Sequence, residues 1–91
     1  MRKIEFSRQA ERFLRNAPSK HAKQIIGRIQ ELALNEQSGQ SSELKGYAPM
    51  RRLKSGEYRV IYEISENTVQ IIIVGKRNDD EVYQMLKRFL E

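Results

Sequence analysis

The sequence contains no cysteine, which removes a disulfide framework and a thiolate metal site and fits a reducing compartment. It holds one histidine, His21, so the histidine pair that often supplies base and acid in RNA cleavage is absent. His21 falls near the start of a helical pattern, far in sequence from the basic segments, and reads as an exposed helix residue. No stretch approaches the ~20 apolar residues that a membrane span needs, and the opening MRKIEFSRQAERF has no apolar run of signal-peptide length. The expectation is a soluble, cytoplasmic protein with no membrane partner. Carboxylates crowd together only at Asp79-Asp80-Glu81, where the start of a helix explains them, so neither a metal site nor another cofactor is expected.

What is present fits one domain spanning residues 1–91, because a chain of this length supports a single hydrophobic core. Seventeen Lys and Arg stand against twelve Asp and Glu, a formal charge of +5. That excess alone does not separate nucleic acid from an acidic protein partner or from plain solubility. Where the charges sit says more.

Alternation of Ile4 and Phe6 with polar residues predicts a short strand over Arg2 to Phe6. Ser7 is placed to cap a helix carrying Ala10, Phe13 and Leu14 to about Asn16, and Ala17-Pro18 ends it. Pro18 opens a second helix with an apolar stripe of Ala22, Ile25, Ile26, Ile29, Leu32 and Ala33. Gly27, inside that helix, suggests close packing against the first. Asn35 to Glu43 is polar and aperiodic and reads as a loop. From Met50 the period changes to two. Arg52 and Lys54 share one strand face, with Leu53 on the other. Ser55-Gly56 turns the chain, then Tyr58, Val60, Tyr62 and Ile64 alternate with Arg59, Ile61 and Glu63. After a second turn at Ser65-Glu66-Asn67, the β-branched run Thr68 to Val74 predicts a central strand buried on both faces. Asn78 or Asp79 caps a last helix with the stripe Val82, Met85, Leu86, Phe89 and Leu90. Tyr83 lies at that stripe's edge, able to point sideways over the sheet.

The expected fold class is therefore α+β: a small, mostly antiparallel β-sheet, an N-terminal helical hairpin packed on it, and a short C-terminal helix. If the strands pair in order, Arg51, Arg52, Lys54, Arg59, Lys76 and Arg77 can gather with Tyr83 on one face. Arginine binds phosphate oxygens bidentately, and neighbouring cations favour a phenolate. From spacing alone two readings stay open. One is a phosphodiester site, the other a solvated basic face with Tyr83 as an edge-of-core aromatic.

The segments RLKSGEYRVIYEI and VGKRNDDEVY, with Leu44, Lys45 and Gly46 upstream, resemble the RelE branch of the RelE/ParE toxin superfamily of toxin–antitoxin systems. The resemblance implies a RelE-like microbial RNase fold and a metal-independent endoribonuclease that cuts mRNA in the ribosomal A site. Its partners would be the ribosome, mRNA and a cognate antitoxin protein. It also implies catalytic roles for Arg52, Lys54, Arg59, Arg77 and Tyr83, with Arg51, Lys76 and Lys45 as further RNA contacts. Arg52 stands where the better-known RelE pattern has lysine, and arginine holds phosphate but carries protons poorly. Two other classes compete: a ParE-like toxin that binds DNA gyrase without nuclease activity, and an inactive relative that only binds an antitoxin.

Overall fold

The computed structural model describes residues 2–34, 40–76 and 79–91. In chain order the elements are β1 (Lys3–Phe6), α1 (Arg8–Asn16), α2 (Ser19–Leu34), β2 (Gln40–Glu43), β3 (Arg51–Ser55), β4 (Tyr58–Ser65), β5 (Thr68–Lys76) and α3 (Asp79–Leu90). The five strands form one sheet in the order β1-β5-β4-β3-β2. Only the β1–β5 pair is parallel, and the other three are antiparallel. No helix among the described residues is long and apolar enough to cross a membrane.

The punctuation expected at α1, α2 and the two turns is in place, and the cap expected at Asn78 or Asp79 rests on side chains outside the described residues. Ser7 Oγ accepts from Ala10 N (3.1 Å), capping α1, and also donates to the Ile72 carbonyl (2.6 Å). Ala22 N bonds the Pro18 carbonyl (2.9 Å), so the proline opens α2. Gly56 takes a positive φ of 57° in the β3–β4 turn, where glycine bears no Cβ penalty. Glu66 takes the same angle in the β4–β5 turn with a side chain to accommodate.

Two apolar layers form, one on each side of the sheet. On one side Ile25, Ile29 and Leu32 of α2 pack with Leu53, Val60, Tyr62, Val69, Ile71 and Val74 of the sheet. On the other, Val82 and Leu86 of α3 pack with Leu44, Ile61, Ile72 and Ile73. Ile72 and Ile73 adjoin in sequence yet face the same way. The ladder shifts between Ile61 and Tyr62, pairing Ile61 with Ile73 but Tyr62 with Ile71, so Ile72 is the extra residue of a bulge. Past Phe6, β5 has no strand on its outer edge. There the Gln9 side chain does a strand's work, donating to the Val74 carbonyl (2.8 Å) and accepting from Val74 N (2.9 Å).

Four expectations need correction. Residues 40–43, read as loop, form the edge strand β2 on β3, and the remainder of that reading, 35–39, lies outside the described residues. Their Gln-Ser-Ser-Glu composition shows no alternation because an edge strand has little to bury, and pairing with β3 supplies the order. Gly27 does not serve close packing, since a Cβ there would meet nothing within 4 Å. Gly75 does: its Cβ would lie 2.8 Å from Met85 Cε and 3.1 Å from Val82 Cγ2, so its bareness lets α3 settle on β5. Phe89 and Leu90, expected on the buried stripe of α3, are about half exposed (51% and 50%). Finally, His21 is half-buried rather than exposed. Its Nδ1 lies 2.6 Å from the Tyr58 hydroxyl, and the two rings meet edge to face.

A candidate phosphate-binding face

The β3–β4 hairpin and α3 build the candidate site. On β3, Arg52 and Lys54 alternate away from buried Leu53 and face the α3 side of the sheet. Register places Arg52 opposite Ile61 and Lys54 opposite Arg59. Lys54 and Arg59 are therefore directly opposed cations, an arrangement that destabilises a strand pair. Such a broken local rule marks a functional surface more often than a structural one.

The side chains are held rather than trailing. Arg59 Nη1 donates to the Gly56 carbonyl (3.1 Å) and the Tyr58 carbonyl (2.9 Å), so the turn's own backbone fixes the guanidinium. Arg52 and Arg59 are half-buried, each with a buried Nε, while Lys54 is exposed. Across β4 from Arg59 lies Gly75, on which α3 rests through Val82 and Met85. The next residue of α3, Tyr83, is half-buried and packs against the α3-side core. It lies at the edge of the helix's apolar stripe, as its spacing predicts.

Sequence reasoning missed Tyr47. The connector from Leu44 to Met50 closes on itself through Tyr47 N to the Leu44 carbonyl and Met50 N to the Tyr47 carbonyl, both 2.9 Å. This fold delivers Tyr47 beside Tyr83, ring centroids 6.0 Å apart. The signal was its place directly after Leu44-Lys45-Gly46, with buried Leu44 as the anchor.

Not every expected cation joins this face. Arg51 precedes Arg52, and the period of two turns it to the opposite side, where its Nε donates to Ser41 Oγ (3.2 Å). Ser41 Oγ in turn lies 2.5 Å from the hydroxyl of fully buried Tyr62. Lys76 pairs in register with Tyr58, and like it faces the α1 side. Lys45 is exposed in the turn that carries Tyr47. Arg77 lies outside the described residues. Arg52, Lys54 and Arg59 thus share the α3 side of the sheet with Tyr83 and Tyr47, which pack on that side's core. Two half-buried guanidiniums can grip an anion's oxygens.

Comparison with known proteins follows the same outline. The family model of the ParE toxin of type II toxin–antitoxin systems, parDE, matches residues 4–81. A search of curated protein sequences finds no match. Among solved structures, a double arginine-to-alanine mutant of Escherichia coli toxin RelE in the free state superposes with a TM-score of 0.77 at 25% identity, covering 96% of each chain. The archaeal RelE–RelB complex of Pyrococcus horikoshii gives 0.70 at 19% identity over 85% of this chain and 96% of that one. The YoeB/ParE toxin of Agrobacterium tumefaciens gives 0.71 at 17% identity over 81% and 96%. The last two likenesses speak to fold alone.

Proposed function

Because the chain belongs to the ParE toxin family of type II toxin–antitoxin systems, within the RelE/ParE superfamily, we propose that it is a toxin of the RelE kind. In this reading it is a cytoplasmic endoribonuclease that cuts mRNA in the ribosomal A site and is neutralised by a cognate antitoxin. Fold does not decide between a nuclease and a gyrase-binding toxin, since sites rather than folds carry function. The observation that carries the nuclease reading is the opposed pair Lys54 and Arg59, with Arg52 on the same face and Tyr83 packed on the apolar core of that side.

The chemistry is attack of the 2′-oxygen on the adjacent phosphorus. The O2′–P bond forms and the P–O5′ bond breaks, leaving a 2′,3′-cyclic phosphate and a 5′-hydroxyl. Lys54 or Tyr83 accepts the proton from the 2′-hydroxyl, and a proton returns to the departing O5′. Arg52 and Arg59 hold the phosphate oxygens, and Arg77 adds charge stabilisation as its place after β5 suggests. Fixed cations aimed at developing charge supply much of the lowering of such a barrier. The ribosome supplies the substrate alignment that a site with no histidine pair lacks.

The matching family carries the ParE name, which keeps a second reading in play: the gyrase-binding toxin without cleavage that the resemblance also allows. Primer extension on a translated mRNA, with and without ribosomes, separates the two. Codon-phased cuts that require ribosomes and fall sharply in Arg77→Ala and Tyr83→Phe support the nuclease. Intact mRNA alongside inhibition of gyrase supercoiling overturns it.

A further inference from the structure

Tyr83 stands at the edge of the α3 stripe, and a helical tyrosine has two common rotamers that send its ring in different directions. A second ring meets it there. The turn from Leu44 to Met50 is anchored by buried Leu44 and closed by its own backbone, so its path does not depend on the side chain of Tyr47. Gly46 takes a φ of 85°, a left-handed angle that costs glycine little, and Tyr47 follows it. The rings of Tyr47 and Tyr83 lie 6.0 Å apart with 32° between their planes, within the range of favourable aromatic pairs. Both are half-buried and pack on the α3-side core. Tyr58 and Tyr62 are fixed at their hydroxyls, by His21 and Ser41. The contact between Tyr47 and Tyr83 is ring to ring and does not use the hydroxyl.

We propose that Tyr47 is a positioning residue for Tyr83: its ring selects the one Tyr83 rotamer that keeps the phenol on the side of the sheet carrying Arg52, Lys54 and Arg59. Aromatic pairing of this kind biases two rotamers by roughly two- to tenfold. A reacting group held about 1 Å out of place costs more than that bias, so small shifts in the ring are felt in the rate. The inference rests on the nuclease reading, in which Tyr83 handles a proton, and adds to it a residue from a different element. It gives the Leu44–Met50 turn a role in the rate of cleavage rather than in the grip on RNA. The hydroxyl of Tyr47 has no part in it, so phenylalanine serves at this position as well as tyrosine.

The test is single-turnover cleavage of a short mRNA on ribosomes over a range of toxin concentrations, for wild type, Tyr47→Ala, Tyr47→Phe, Tyr83→Phe and Tyr47→Ala/Tyr83→Phe. The expected result is a maximal rate about five- to tenfold lower in Tyr47→Ala, with the half-saturating concentration within about twofold of wild type. Tyr47→Phe restores the rate, and in the Tyr83→Phe background Tyr47→Ala costs less than about twofold. Tyr47→Leu, which keeps apolar bulk on the core, gives the same loss and replaces the alanine variant where melting curves show it unstable. Equal losses with and without the Tyr83 hydroxyl overturn the proposal, and so does a change confined to the half-saturating concentration. A second readout is independent of cleavage: three-bond couplings at the Tyr83 Cβ protons, measured by NMR, report one rotamer in wild type and an average of two in Tyr47→Ala. A Tyr83 that keeps one rotamer without Tyr47 overturns the positioning role alone. Absence of cleavage by the wild type overturns the nuclease reading, and the proposal with it.

Discussion

The two faces of the sheet solve different problems. The α1/α2 side holds the larger core: Tyr62, Leu53, Val60, Ile25 and Ile29 are fully buried, and phenols that reach it are paired, Tyr62 with Ser41 and Tyr58 with His21. The α3 side has a smaller apolar layer, and its margin is given to Arg52, Lys54 and Arg59. One face makes the hairpin rigid, and the other uses that rigidity to keep like charges together. Stability and chemistry therefore lie back to back on the same strands, one residue apart.

This division can be broken deliberately. The largest effect on stability belongs to the face with the larger core: Leu53→Ala removes fully buried atoms from between α2 and the sheet and costs about 2–5 kcal/mol in chemical denaturation. Its neighbours Arg52 and Lys54, one residue to either side, point the other way. Next comes Arg59→Ala, expected to lower ribosome-dependent cleavage about 10²-fold while the melting temperature stays near wild type. A comparable loss of stability in that variant would show that Arg59 is structural. Gln9→Ala follows. It leaves the Val74 N–H and carbonyl without the amide that mimics a strand, a loss of about 1–3 kcal/mol readable by denaturation and by faster amide exchange at Val74. The smallest effect has the opposite sign. Gly27→Ala meets nothing within 4 Å and gains up to ~1 kcal/mol of helix propensity, seen as a higher denaturation midpoint.

Much of this architecture was legible because the signals were local. Ser7 announced its cap, Pro18 its helix start, and the period of two placed Arg52 and Lys54 on one strand face, with Arg59 joining them once the strands pair in order. The family resemblance added the link to Tyr83. What stayed hidden depended on contacts distant in sequence. β2 has no pattern of its own and exists because β3 offers it an edge. His21 looked solvent-exposed because its partner, Tyr58, is 37 positions away. Arg51 and Lys76 were grouped with the other cations by proximity in sequence, although the alternation that seats Arg52 turns Arg51 away. The bulge at Ile72, which lets two consecutive isoleucines face α3, cannot be read from a run of β-branched residues.

The most direct test sets charge on one face against charge on the other. Ribosome-dependent mRNA cleavage would be measured by primer extension for K54A/R59A and for R51A/K76A, which remove the same number of cations from opposite sides of the sheet. The account predicts that K54A/R59A abolishes codon-phased cuts and that R51A/K76A leaves them close to wild type. Equal loss in both pairs would contradict it, showing that net positive charge matters and that the geometry of the α3 face does not.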